Sequence, residues 1–107
     1  MSAPLPGLGD LDPVIHAPKR LAIMSVLASS TSTDFGFLRE HLSVSDSDLS
    51  KQMAALEGAG YLTVTKSRGR GGATSYRITR QGAAAFRRHV GALRAIVGQG
   101  VDALDQG

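Results

Sequence analysis

Cysteine is absent from the 107 residues. Disulfide scaffolds, thiolate metal centres and cysteine nucleophiles are therefore excluded together, and the composition fits a reducing compartment. No segment reaches the roughly 18 consecutive apolar residues of a membrane span. The first residues show no basic stretch followed by an apolar core, so they do not read as a secretory signal. The expectation is a soluble cytoplasmic protein with no membrane partner. Acidic residues are missing from a whole region: none lies between Glu57 and Asp102, where Lys66, Arg68, Arg70, Arg77, Arg80, Arg87, Arg88 and Arg94 all fall. Asp10, Asp12, Asp34, Glu40, Asp46 and Asp48 sit in the first half. Such asymmetry sets up a positive field over one region and points to a polyanionic partner, the alternative being a merely solvated basic face.

A chain of this length holds one hydrophobic core, without room for a second catalytic domain beside it. Met1 to Leu11 carry prolines and glycines without helical periodicity and read as a flexible arm. A short helical turn can follow, with Asp12 as cap and Pro13 in the first helical position. From Pro18, the recurrence of Leu21, Met24, Leu27 and Ala28, flanked by Ile23 and Val26, predicts a largely buried helix. The hydroxyl-rich stretch after Ala28 reads as a loop. Asp34 then caps a helix over Phe35 to Leu42, Ser43-Val44-Ser45 breaks the chain, and Ser45 caps a third helix with Leu49, Met53 and Leu56 as its inner stripe.

After Gly60 the period changes to alternation. Tyr61 to Lys66 and Ser75 to Thr79 read as two strands, joined by the basic, glycine-rich Ser67 to Thr74. Thr79 caps a last helix in which Phe86, Val90, Leu93 and Val97 repeat with the spacing of a coiled-coil seam. Gly98 and Gly100 weaken its far end, so 98–107 reads as a frayed tail and 12–97 as the domain. The fold class is mainly α with a small β-hairpin (α+β), a winged helix-turn-helix with an additional C-terminal dimerisation helix.

In that arrangement the later helix enters the major groove with its N-terminal residues towards base edges. With the apolar stripe inward, Ser47, Asp48, Ser50, Lys51, Gln52 and Ala55 point outward. Gln52 can pair bidentately with adenine, Ser47 and Ser50 can bond bases or phosphates, and Lys51 can reach guanine or the backbone. Asp48 can accept from cytosine or serve as a helix-terminus acid. At the hairpin tip, Lys66, Arg68 and Arg70 lie among glycines, suited to phosphates or a narrow minor groove. Val14, Ile15, Phe86, Val90, Leu93 and Val97 are the expected dimer interface, the alternative being that the last helix folds its seam onto its own core.

From Leu11 to about Val97 the chain resembles the MarR/ArsR-like winged helix regulators, in particular the short one-domain DNA-binding proteins of bacteria. The resemblance is carried by Leu11-Asp12-Pro13-Val14-Ile15-His16, Pro18-Lys19-Arg20-Leu21-Ala22-Ile23-Met24, and Asp34-Phe35 with Leu38. It continues through Leu49-Ser50-Lys51-Gln52-Met53, Leu56-Glu57, Ala59-Gly60-Tyr61, Tyr76-Arg77-Ile78-Thr79 and Gly82. It implies sequence-specific operator binding by a homodimer, with Ser47, Ser50, Lys51 and Gln52 in the groove and Lys66, Arg68 and Arg70 on the wing. This sequence departs from metal-sensing relatives by lacking their cysteines, and from full-length MarR proteins by its shorter terminal helices.

Other chemistries find little support. His16, His41 and His89 are too dispersed for metal-ligand spacing and read as surface or half-buried residues. Asp46 and Asp48 lack the glycine and distal glutamate of a calcium loop, and Ser67 to Ala73 lacks the Lys-Ser/Thr of a phosphate loop. No nucleophile, base and orienting group assemble, so neither enzyme activity nor a cofactor is expected. The rival readings are a protein-interaction module, which would favour an apolar or acidic recognition surface, and RNA binding through the Arg-Gly tip, which lacks stacking aromatics. A small-molecule effector site between the last helix and the core is possible in this architecture, but no residue identifies a ligand.

Overall fold

A computed structural model describes residues 7–66 and 74–107. A 3-10 turn, Leu8–Asp10, leads to α1 (Pro18–Ala28), β1 (Thr33–Asp34), α2 (Phe35–Leu42), α3 (Asp46–Gly58), β2 (Leu62–Lys66), β3 (Thr74–Ile78) and α4 (Arg80–Gln106). Each helix begins where local chemistry dictates. Pro18 occupies the first position of α1, where its missing N–H costs nothing. Asp34 accepts from the Phe37 N–H at 2.7 Å, and the Ser45 hydroxyl accepts from the Asp48 N–H at 3.1 Å. Thr79 serves two elements: its hydroxyl accepts from the Gly82 N–H at 2.8 Å and donates to the Gly60 carbonyl at 2.7 Å. The start of α4 is thereby tied to the end of α3.

The stops matter as much for the site. Ser43 takes a left-handed conformation (φ 54°), so its own N–H and that of Val44 turn back onto the Glu40 and Arg39 carbonyls. Two residues later Ser45 starts α3, which fixes the angle of the helix-turn-helix. At the other end Gly60 (φ 82°) closes α3: its N–H bonds to Glu57 at 2.9 Å and the Tyr61 N–H to Leu56 at 3.0 Å, the paired bonds of a Schellman motif.

Ile15, Ile23, Met24, Leu27, Leu38, Leu49, Met53, Leu56, Leu62, Tyr76 and Ala85 make one core drawn from every layer. On α1, Ile23, Met24 and Leu27 are buried in it and Leu21 and Val26 pack against it, while Ala28, expected in the same stripe, is exposed; on α3, Leu49, Met53 and Leu56 all point into it. Truncating any of the fully buried leucines to alanine should cost about 2–5 kcal/mol.

Three expectations are corrected by the structure. The sheet has three strands in the order β1-β3-β2, because Thr33 and Asp34 pair with Tyr76 and Ser75 and so cover the open edge of β3. The short helical turn expected after Asp12 is present: Asp12 Oδ1 takes the N–H groups of Val14 at 2.8 Å and Ile15 at 3.1 Å, and the His16 N–H closes the turn onto the Asp12 carbonyl at 2.7 Å before Pro18 opens α1. Ile15 is fully buried within the protomer and offers no surface to a second copy. Finally, 98–106 is not frayed, since α4 runs unbroken to Gln106. Of the expected flexible arm, 1–6 lie outside the described residues, while Leu8–Asp10 form a turn that packs on α4.

Candidate nucleic-acid interface

Successive residues of a helix are about 100° apart, so the buried stripe of α3 fixes every other side chain. Opposite Leu49, Met53 and Leu56 lies a crest of exposed residues, Ser47, Lys51, Ala54 and Ala55. Ser50 is also exposed, on the flank turned to the hairpin, where it lines a groove of about 510 Å³ with Phe35, Asp46, Glu57, Lys66 and Thr74. The positive end of the α3 dipole lies at the same end as Ser47.

Gln52 and Asp48 occupy the opposite flank, against α1. Both ends of the Gln52 amide are engaged: Oε1 accepts from Arg20 Nη1 at 2.8 Å, and Nε2 donates to Asp48 Oδ1 at 3.0 Å. Lys19 donates to the other oxygen of Asp48. The Lys19 hydrogen bond, then that of Gln52, hold the Asp48 carboxyl below its ordinary pKa of 3.8. The Gln52 amide is thus oriented within the protein by one hydrogen bond at each end. A second clamp, Arg39 to Asp46 at 3.0 Å, ties α2 to the first turn of α3.

On the hairpin, Lys66 is exposed at the end of β2 and lines the same groove as Ser50. Arg68 and Arg70 lie outside the described residues. Lys66 and Ser50 are thus brought to one surface, and Gln52 is set aside from it. Sequence reasoning placed Gln52 correctly as non-core but did not anticipate Lys19 and Arg20 as its neighbours. The available signal was two adjacent cations at the start of α1 facing the acidic first turn of α3.

A polar knot lies behind the interface. His89 of α4 is fully buried, not half-exposed, and its Nδ1 accepts from the Asp12 N–H at 2.9 Å. The ring is then neutral with its proton on Nε2, an atom with no partner among the described residues. Burial, followed by the nearby His16, pushes the His89 pKa down, against the opposing pull of Asp12. Tyr61 donates its hydroxyl to Asp12 Oδ2. Burial pushes the Asp12 carboxyl up, yet the Tyr61 bond and the Ile15 and Val14 N–H groups outweigh it and leave the pKa below 3.8.

The expected dimer residues divide into separate groups. Phe86, Val90 and Leu93 line an open groove of about 640 Å³ together with Pro18, Leu21, Ala22, Ser25 and Arg94. Val14 is half-buried against the core. Val97 stands in solvent, followed along α4 by Val101 and Leu104, which are 51% and 81% exposed.

Residues 19–97 match the family model described as a winged helix DNA-binding domain. The chain belongs to that family. The winged helix fold recurs in solved structures. A transcriptional regulator homologue from Pyrococcus horikoshii OT3 is 25% identical with a TM-score of 0.77, over 83% of this chain and 88% of its own. A possible transcriptional regulator for arsenical resistance is 28% identical with a TM-score of 0.61, over 81% and 85%. A MarR-family protein from Enterococcus faecalis V583 shares the fold at a TM-score of 0.68 and 18% identity, over 87% and 81%. No curated protein matches the sequence. The resemblance to winged helix regulators drawn from the sequence holds for family and for fold, and the family is one of DNA-binding domains, not of catalysts. Among the described residues no helix is long and apolar enough to cross a membrane.

Proposed function

We propose that this winged helix protein is a sequence-specific, double-stranded DNA-binding transcriptional regulator that acts as a homodimer. The observation that carries the reading is the surface of α3: a capped helix with Ser47, Ser50 and Lys51 exposed and Lys66 of the adjoining strand beside Ser50. Ser47, Ser50 and Lys51 enter the major groove, with Ala54 and Ala55 small enough to meet thymine methyl groups. Lys66, Arg68 and Arg70 follow the phosphates or the minor groove, drawn by a region that carries no acid from 58 to 101. A polar α3 crest without large apolar residues disfavours an apolar protein-docking surface, and the lack of stacking aromatics on α3 disfavours RNA.

The test is fluorescence anisotropy on a selected duplex, a random duplex and a single-stranded RNA of equal length, across a salt series. The expected result is a preference for the selected duplex and affinity that falls steeply with salt. Arg68→Ala with Arg70→Ala should weaken both duplexes together and flatten the salt slope by about one unit per lost phosphate contact. Equal binding of RNA and duplex, or an unchanged slope in the double variant, overturns the assignment.

A further inference from the structure

We infer that Gln52 is a positioning residue of the recognition helix, clamped between Arg20 and Asp48, and that it acts on DNA sequence preference through Arg20 and not by touching a base. The inference rests on the DNA-binding reading above and changes which residues read sequence.

The clamp is continuous. Lys19 and Arg20, consecutive at the start of α1, hold two residues one turn apart on α3: Lys19 holds Asp48, Arg20 holds Gln52, and Gln52 Nε2 closes the ring onto Asp48 at 3.0 Å. Arg20 is itself fixed, because its Nε donates to the Val14 carbonyl, in the turn that Asp12 holds and that His89 of α4 anchors at 2.9 Å. Two bonds on successive turns of one flank add directional resistance to rotation of α3 about its own axis, beyond that of its buried stripe. Rotation is the motion that matters here: it would swing Ser47, Lys51 and Ala54 sideways across the base edges together. To swing away from α1 towards a base edge, the Gln52 amide would have to break its bond to Arg20, to Asp48 or to both, beside an anionic backbone that repels the carboxylate. Lys19 keeps that carboxylate neutralised at the helix terminus facing the phosphates.

The experiment measures binding of the full chain to the selected duplex and to every single-base-pair variant of it, for wild type, Gln52→Ala, Arg20→Ala and the double variant. A positioning residue lowers discrimination at all base pairs under α3, by roughly fivefold, and the double variant loses no more than either single variant. A base reader relaxes preference at one base pair only, and its loss adds to that of Arg20→Ala; that result overturns the inference. The clamp is also read without DNA. A double-mutant cycle in urea unfolding should show Arg20 and Gln52 coupled, and additivity there overturns the inference as well. A wild-type chain that binds no duplex selectively, while the unfolding cycle shows coupling, overturns the DNA-binding reading and leaves the clamp standing.

Discussion

The buried imidazole of His89 makes the protein's stability depend on pH in a calculable direction. Because burial and His16 hold its pKa below the ordinary 6.5, the unfolded chain binds more protons than the folded one between the folded pKa and 6.5. Stability from this group is complete above 6.5 and is lost as the pH falls from there towards the folded pKa. Asp12 acts in a separate window, contributing above 3.8 and losing its contribution only in stronger acid. His89→Asn offers a non-titrating oxygen in the place of Nδ1 and can still accept the Asp12 N–H. Urea unfolding between pH 7 and pH 5 should show wild type losing stability and His89→Asn changing much less; parallel curves would remove His89 as the cause. None of this was legible in the sequence. A histidine among Arg88 and Gly91 on an amphipathic helix looks half-exposed until the turn at Asp12, 77 positions away, is folded over it. Gln52 was hidden in the same way, since its outward position was readable from the α3 stripe but its partners lie on another helix.

Elements were more readable than contacts because their signals are local. Asp34, Ser45 and Thr79 each announce a helix start, and the switch from a three-four to an alternating period after Gly60 announces the hairpin. β1 escaped because two residues carry no periodicity, and its existence depends on pairing with Tyr76 and Ser75. The reach of α4 escaped for the opposite reason: Gly98 and Gly100 lower helix propensity without ending a helix that has residues to spare on both sides. Glycines within α4 are accordingly of two kinds. At Gly82 an added Cβ would stand 2.1 Å from the Tyr61 carbonyl oxygen, so the first turn of α4 lies on the backbone entering β2 only because no side chain intervenes. Gly91 meets nothing within 4 Å. Gly82→Ala should destabilise by on the order of 3 kcal/mol despite the better helix former, whereas Gly91→Ala should stabilise by about 0.8–1 kcal/mol. Thermal unfolding of the two variants checks the contrast, and a neutral Gly82→Ala would show that the α3-β2 turn gives way freely.

At the scale of the molecule the long axis is 61 Å against 26 and 23 Å for the others, and the 27-residue α4 is the longest element. At 1.5 Å per residue the helix is about 40 Å long, further than the core extends. Val97, Val101 and Leu104 continue the seam of Phe86, Val90 and Leu93 beyond the point where α1 can cover it, and they stand exposed at 53%, 51% and 81%. A projecting apolar stripe on a small protein is costly in water and marks a contact surface. Pairing it with its copy across a two-fold axis, as the proposed homodimer requires, would cover both stripes and carry two α3 helices to successive major grooves about 34 Å apart. The outer half of the stripe is the place to test this. Phe86, Val90 and Leu93 share a groove with α1, so charges there would disturb the protomer as well as any dimer. Val97→Glu with Val101→Glu alters residues that support no core, and circular dichroism should remain that of a folded chain. Sedimentation of wild type is expected at twice the protomer mass of 11.2 kDa, and of the double variant at that mass. Such a dimer would meet both half-sites at once, so the folded monomer should also bind the selected duplex at least tenfold more weakly. A wild-type monomer, or a double variant that sediments and binds as wild type does, would place the stripe outside the regulator's assembly.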